Sequence, residues 1–307
     1  MKKSILVMFV FVLLLAGCSQ GNKDVVDGDR IKVVSSFTII TDMVNEIGQE
    51  KVDVHNLVPT GNDPHEYEPL PQDIKKVTDA DVLFYNGMNL EGGENGWFMK
   101  LARSVNQKEE NIYNLSEGIE PMFLSSHDGK VEEINPHVFS NPKNGIIMAE
   151  NVLKALVEID PDNKDFYESN AEVYLAALHD IESRYETGFA SIPKEKRFIV
   201  TSERAFQYMT AEYDIDEAYI WAIDTEENGT PQQIKSLVEV LKDKEIPYLF
   251  VESNVDERPM KTISDETGIP IFPEKVFADE IGKKGDEVDT YFKFLEHNLE
   301  VFMKGLQ

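Results

Sequence analysis

Cysteine is nearly absent from this chain of 307 residues: Cys18 is the single one. One thiol closes no intramolecular disulfide. Positive charge is scarce as well. Thirty lysines and arginines face 57 aspartates and glutamates, a formal net charge of -27. Such a balance argues against nucleic acid as a partner, because binding a phosphate backbone needs cationic surface to displace counterions. The same acidity fits solubility and mildly favours the approach of cations. There is no H-E-x-x-H pattern, no solenoid period, and no low-complexity tract beyond a short polar stretch after Cys18. No apolar run is long enough to cross a bilayer.

What is present begins with processing signals. Lys2 and Lys3 precede an apolar run over 5–15, and Leu15-Ala16-Gly17-Cys18 supplies a small-residue ending. That is the pattern of a secretory signal. The four residues also resemble the bacterial lipobox, which implies cleavage before Cys18 and lipid modification of its new N-terminus. A buried lipid methylene contributes about 0.8 kcal/mol, and stable anchoring takes more than one acyl chain. The expected division is therefore a signal peptide over 1–17 and a lipid-anchored leash over 18–30, with the mature chain outside the cytoplasmic membrane.

Strand-like and helix-like segments then alternate. Strands are expected at 31–34, 52–58, 82–85 and 112–115. Helices are expected from residue 38 to a cap at Gly48, at 71–80 and at 97–105. An acidic connection follows. Over 146–157 the apolar residues recur at helical spacing, Pro161 breaks the run, and 166–188 reads as a long amphipathic helix. Two helices without a strand between them read as a connector. Alternation resumes with strands at 198–201, 218–223, 248–251 and 269–276. Helices are expected at 205–213, 230–244, 258–267 and 286–306, and Thr230-Pro231-Gln232-Gln233 offers an N-cap and a capping box. The fold expected is α/β: two Rossmann-like lobes, 31–145 and 193–307, joined by connecting helices at 146–192.

Two loops repeat one theme. Asn62-Asp63-Pro64-His65-Glu66-Tyr67 and Asn135-Pro136-His137-Val138-Phe139 each hold a histidine in a proline-stiffened loop. In open α/β sheets ligands collect at the carboxyl ends of strands, and His65 follows a strand while His137 opens a helix. Two imidazoles in stiff loops could aim at one point. Strand ends in the second lobe offer Glu203, after "FIVTS", and Asp279, after "EKVFA". Among so many acidic residues, position alone leaves both as candidates only. His55, within a strand-like run, reads as structural. His127 lies in an acidic loop, while His179 and His297 fall on helices. Trp97 and Trp221 read as packing groups, with Trp221 near enough to line a cleft.

Longer stretches carry a resemblance: "LVPTGNDPHEYEP", "NGMNLEGGENGWF", "NPHVFSNPKNGI", "AYIWAIDTEENGTPQQI" and "VESNVDERPMKTISDETGIPIF". From the lipobox to the last helix the chain resembles the metal-binding lipoproteins of bacterial ABC importers, the manganese/zinc branch of the solute-binding proteins. The resemblance implies four metal ligands at His65, His137, Glu203 and Asp279, in a cleft between the lobes. It implies delivery of the ion to a membrane permease with its ATPase, a monomer, and a lipid anchor at Cys18 on the extracytoplasmic face. Zinc-type members commonly carry histidine at the third ligand position and a histidine-rich loop in the first lobe. Glu203 and the histidine-free stretch 90–97 look instead like the manganese-type subgroup. The second motif departs slightly, reading His-Val-Phe-Ser-Asn-Pro where members often have His-x-Trp-Leu-x-Pro.

Two neutral imidazoles and two carboxylates balance a divalent cation, and this mixed set suits Mn(II), with Zn(II) or Fe(II) as alternatives. The general affinity order favours zinc at almost any such site. Two rivals predict other behaviour from the same centre: a metallohydrolase, in which the metal activates water, and a surface adhesin with a structural metal.

Overall fold

A buried run in the first strand organises the first lobe. In the computed structural model, which describes residues 30–125, 132–223 and 228–307, strand β1 (Ile31–Phe37) has its last five side chains buried. A strand covered on both faces is what an all-parallel sheet with helices on either side requires. β1 pairs in parallel with β2 (Val52–Val58) on one side and with β3 (Val82–Tyr85) on the other. β4 (Ile112–Asn114) completes the order β2-β1-β3-β4. The chain turns outward in both directions from β1, so the strand order reverses beside its carboxyl end. That is where such sheets bind ligands. The signal segment, Cys18, the leash up to residue 29 and His127 all lie outside the described residues.

Helix α1 (Thr38–Gly48) follows β1 directly and buries Ile39, Ile40, Met43, Val44 and Ile47, an apolar face at helical spacing. After β2 come α2 (Pro71–Asp79) and, past β3, α3 (Trp97–Ser104). The acidic connection contains an unexpected element, an antiparallel pair of β5 (Phe123–Ser125) and β6 (Glu132–Ile134). Then α4 (Pro142–Ile159) and α5 (Lys164–Ala190) pack against each other and against α1. The long helix α5 buries Tyr167, Ala171, Tyr174, Leu178, Ile181, Tyr185 and Phe189. Alternating three- and four-residue steps make that seam.

In the second lobe β7 (Phe198–Glu203) pairs in parallel with β8 (Asp216–Trp221). On its other edge the Phe250 N–H donates to the Val200 carbonyl at 2.8 Å. Single parallel bridges, Leu249 to Ile271 and Glu252 to Val276, extend the layer. The strands expected at 248–251 and 269–276 are thus reduced to bridges. Pro270 and Pro273 bring no N–H to the ladder there, which interrupts it. Helices α6 (Gln207–Glu212), α7 (Pro231–Leu241), α8 (Arg258–Thr267) and α9 (Tyr291–Gly305) complete the unit Ile31–Gln307. Thr230 caps α7 as its sequence requires, accepting from the Gln233 N–H.

Ile199 faces the main core, which also takes in α1, α4, α5 and α9, while its neighbour Val200 faces a smaller cluster with Trp221, Leu237 and Met260. Several boundaries differ from expectation. The last helix begins at Tyr291, because Thr290 caps it by accepting from the Lys293 N–H. β8 stops at Trp221 and α6 starts at Gln207. Gly48 is not the left-handed cap of α1: Gln49 takes the positive φ there, 42°. Gly48 is needed for space, since a Cβ there would sit 2.6 Å from the Val52 methyls.

Asp42 of α1 accepts the Tyr291 N–H at 2.8 Å and so ties α9 to the first lobe. Burial raises its carboxyl to about 7, helped by Glu46 and Asp289 and opposed by the Tyr291 N–H and Lys293. A raised carboxyl favours the fold fully below its unfolded value of about 4 and loses that contribution as pH climbs through the folded value. Asp42→Asn keeps an acceptor for the Tyr291 N–H without the charge. It is expected to stabilise metal-free protein by of order 1 kcal/mol or more at pH 8 and hardly at all at pH 4. Urea unfolding at both pH values is the check, and a variant less stable at pH 8 would contradict the account.

Candidate metal centre

Proline-stiffened loops and strand ends bring four side chains to one point. His65, His137, Glu203 and Asp279 each direct one ligand atom there, all within 4.8 Å of one another. His137 Nε2 lies 3.1 Å from Asp279 Oδ1 and 3.6 Å from Glu203 Oε1. His65 Nε2 lies 3.9 Å from Asp279 Oδ1, and the two imidazoles are 5.4 Å apart between centroids. Nitrogen and oxygen ligands at about 2.0–2.2 Å from a cation stand roughly 3–3.5 Å from each other. The 3.1 Å between His137 and Asp279 falls in that range, 3.6 Å to Glu203 lies just outside it, and the remaining separations are wider.

Each member is fixed by its own surroundings. Trp97, at the start of α3, donates its indole N–H to the Pro64 carbonyl at 2.8 Å, and the His65 N–H donates to Asp63 Oδ1 at 2.7 Å. Tyr67 packs edge-on against Trp97 and donates its hydroxyl to Asp73, a buried carboxylate that also receives the Leu70 N–H. The first histidine loop is therefore pinned on both sides of His65. His137 Nδ1 stands 2.7 Å from Asn135 Oδ1. The Asn135 amide donates to the Arg204 carbonyl and to Gln207, so its oxygen faces the imidazole. His137 thus carries its proton on Nδ1 and presents a bare Nε2 to the cluster. Glu203 is the last residue of β7, not one residue beyond it, and is fully buried. Asp279 receives the Asn254 amide on Oδ2 at 3.0 Å, leaving Oδ1 for the centre. Asn298 of α9 donates to the Phe277 carbonyl and accepts its N–H, which holds the segment leading into Asp279.

Burial dominates the electrostatics. It depresses the imidazole of His65, reinforced by His137 and opposed by the Asp279 and Asp63 carboxylates, so His65 stays neutral at ordinary pH. Burial also pushes Asp279 upward, yet the two imidazoles and the Asn254 amide outweigh it and hold the carboxyl below its usual range. The Nε2 atoms of both histidines and Oδ1 of Asp279 are buried without a hydrogen-bond partner. An unmatched buried polar atom costs about 1–3 kcal/mol. Three of them facing one point offer the donor atoms that a cation would take.

The residues after Asp279 reach back to the first lobe. Thr60 donates to the Ile281 carbonyl at 2.9 Å, the Gly61 N–H donates to Glu280, and the Ile281 N–H donates to the Thr38 hydroxyl. The other described histidines are elsewhere. His55 Nε2 lies 2.9 Å from Asp73, consistent with a structural part, His179 sits on the surface beside Glu182, and His297 contacts the Lys275 carbonyl. Trp221 stands opposite Glu203 in register. The supporting residues Asn135 and Asn254 escaped sequence reading. Asn135 carried a signal, standing two positions before a histidine in a proline loop, whereas Asn254 is 25 positions from its partner.

The family model described as zinc-uptake complex component A, periplasmic (ZnuA), matches residues 33–305 of the chain. Similar proteins include the manganese ABC transporter substrate-binding lipoprotein PsaA of Streptococcus mitis, 46% identical over 309 aligned residues covering 100% of this chain and 99% of that protein. The metal ABC transporter substrate-binding lipoprotein SsaB of Streptococcus sanguinis is 46% identical over 304 residues, covering 97% of this chain and 98% of that protein. Among solved structures, the Mn-bound periplasmic metal binding protein of Candidatus Liberibacter asiaticus superposes with a TM-score of 0.79. It is 28% identical, and the match covers 91% of this chain and 100% of that one.

Proposed function

Because this chain belongs to the ZnuA family of zinc-uptake complex component A proteins, we propose that it is the substrate-binding lipoprotein of an ABC importer for a divalent metal, with Mn(II) as cargo. His65, His137, Glu203 and Asp279 are the proposed ligands. One observation carries the reading: three buried donor atoms without hydrogen-bond partners converge, from both lobes, at spacings that suit one cation. No catalytic role is assigned to the centre. Glu203 in place of a third imidazole favours a hard, oxygen-tolerant ion, although the general affinity order still lets Zn(II) compete. PsaA of Streptococcus mitis is named for manganese, which supports the same choice.

The proposal places lobes at 31–145 and 193–307 around connecting helices at 146–192. A cation held by two ligands from each lobe binds the closed arrangement better than an open one, and that difference shifts the population. The hydrogen bonds from Glu280 and Ile281 to Thr38, Thr60 and Gly61 would form together with the Asp279 contact. A permease and its ATPase then receive a ligand-dependent surface. Anchoring through Cys18 to the extracytoplasmic face, and a monomeric state, belong to the same proposal.

Thermal unfolding of metal-free protein lacking residues 1–18 provides the test. At a hundred times the dissociation constant a ligand stabilises the native state by about 2.7 kcal/mol, a rise of roughly 5–10 °C for a domain of this size. Mn(II) is expected to give a saturable rise, and Glu203→Ala to lose it. A rise with Zn(II) and none with Mn(II) moves the assignment to zinc delivery. No rise with either metal removes the centre.

A further inference from the structure

Two glutamates outside the proposed ligand set occupy matching places in the two lobes. Glu252, fully buried, accepts the Glu203 N–H on Oε1 at 2.8 Å and the Ser202 N–H on Oε2 at 3.2 Å. Glu91, also buried, accepts the Asn86 N–H on Oε1 at 2.7 Å and the Gly87 N–H on Oε2 at 3.2 Å. Each carboxylate therefore grips two consecutive peptides at the carboxyl end of a strand, β7 in one lobe and β3 in the other. Among the described residues no lysine or arginine pairs with either.

Burying a carboxylate without a cation is unfavourable, and a neutral or apolar side chain would serve the fold better. Both grips lead to the centre. Glu252 holds the peptide of Glu203 itself. Glu91 holds Asn86, whose amide donates to the Pro136 carbonyl at 2.9 Å, one residue before His137.

We infer that Glu252 and Glu91 are positioning residues for metal binding: two carboxylate clamps that fix the Glu203 carboxylate and the His137 imidazole before the cation arrives. The inference rests on the metal-receptor reading. A glutamine in either place presents an NH2 group to a peptide N–H, so one of the two bonds must break while volume and shape stay the same. The effect should be greater at Glu252, which touches a ligand's own peptide, than at Glu91, which acts through Asn86.

The experiment is titration of Mn(II) by calorimetry into metal-free parent, Glu252→Gln, Glu91→Gln and Leu237→Ala. The visible absorption of each Co(II)-loaded protein serves as a readout of ligand geometry. Leu237 lies in the smaller core cluster, outside the ligand set and the two clamps, and controls for lost stability. Glu252→Gln is expected to bind about 10–100-fold more weakly, the range for lost outer-layer partners, with a changed Co(II) band. Glu91→Gln is expected to show a smaller loss, and Leu237→Ala an unchanged band and affinity despite a lower melting temperature. Affinity within threefold of the parent and an unchanged band in Glu252→Gln would overturn the inference. So would failure of both glutamine variants to fold, which would make the clamps purely structural. A parent that binds no Mn(II) would remove the receptor reading first, and the clamps with it.

Discussion

His137→Ala loses Mn(II) binding by more than about 100-fold, an expected cost of about 3 kcal/mol for removing one of four ligands. Its Nε2 is buried, makes no hydrogen bond and stands nearest to both carboxylates of the cluster. An alanine supplies no donor to the centre. The metal-free protein should tolerate the change better than burial alone implies, because the lost Nε2 makes no hydrogen bond in the absence of a cation. Affinity and apo stability should therefore separate, and calorimetry beside thermal melting would reveal it. His65→Ala should act in the same direction. If the His137→Ala protein binds Mn(II) within a few-fold of the parent, the four-ligand centre is wrong.

Affinity for Mn(II) is expected to be flat above about pH 7 and to collapse in acid. A coordinating imidazole must be neutral, and burial depresses the folded value of His65 below the ordinary value of about 6.5. Neutral His65 therefore persists below that ordinary value, and binding holds further into acid than an exposed histidine would allow. Once the depressed value is passed, a proton competes with the metal. Each imidazole that must lose one adds about tenfold per pH unit to the dissociation constant.

The sign for the metal-free fold is the same. The unfolded chain protonates His65 before the folded protein does, so stability is complete above about 6.5 and falls as pH drops through the depressed folded value. The lowered carboxyl of Asp279 adds a further loss at still lower pH. Dissociation constants measured from pH 8 down to the acid limit of the metal-free fold test this, and affinity that never falls over that range would exclude both imidazoles as ligands.

Periodicity makes most of the architecture legible. The two faces of a parallel strand and the seam of α5 are local patterns, and the proline loops announce both histidines. Glu203 and Asp279 are visible as strand-end carboxylates, but position cannot separate them from the many other acidic residues. Only the family resemblance singles them out. What stays hidden is long-range. Glu252 grips a peptide 49 positions away, Asn254 a carboxylate 25 away, and neither bond leaves a local signature. The antiparallel pairing of β5 with β6 is illegible because three-residue strands in an acidic stretch lack enough alternation to register. The final strands of the second lobe are shorter than their apolar content suggests, because prolines interrupt the pairing.

The last helix bears on how the molecule is made. Tyr291 donates its hydroxyl to the Phe139 carbonyl, 152 positions earlier, and its N–H to Asp42, 249 positions earlier. Tyr185 likewise reaches the Leu295 carbonyl. Gly145 leaves the space for this, since a Cβ there would meet the Tyr291 hydroxyl at 2.2 Å. One wall of the first lobe is thus supplied by the end of the chain. Contacts of such separation form slowly, and a nascent chain stopped short of residue 291 cannot close its main core at all. Until the last helix arrives that wall stays open, so the first lobe cannot finish folding before residues 291–305 are in place.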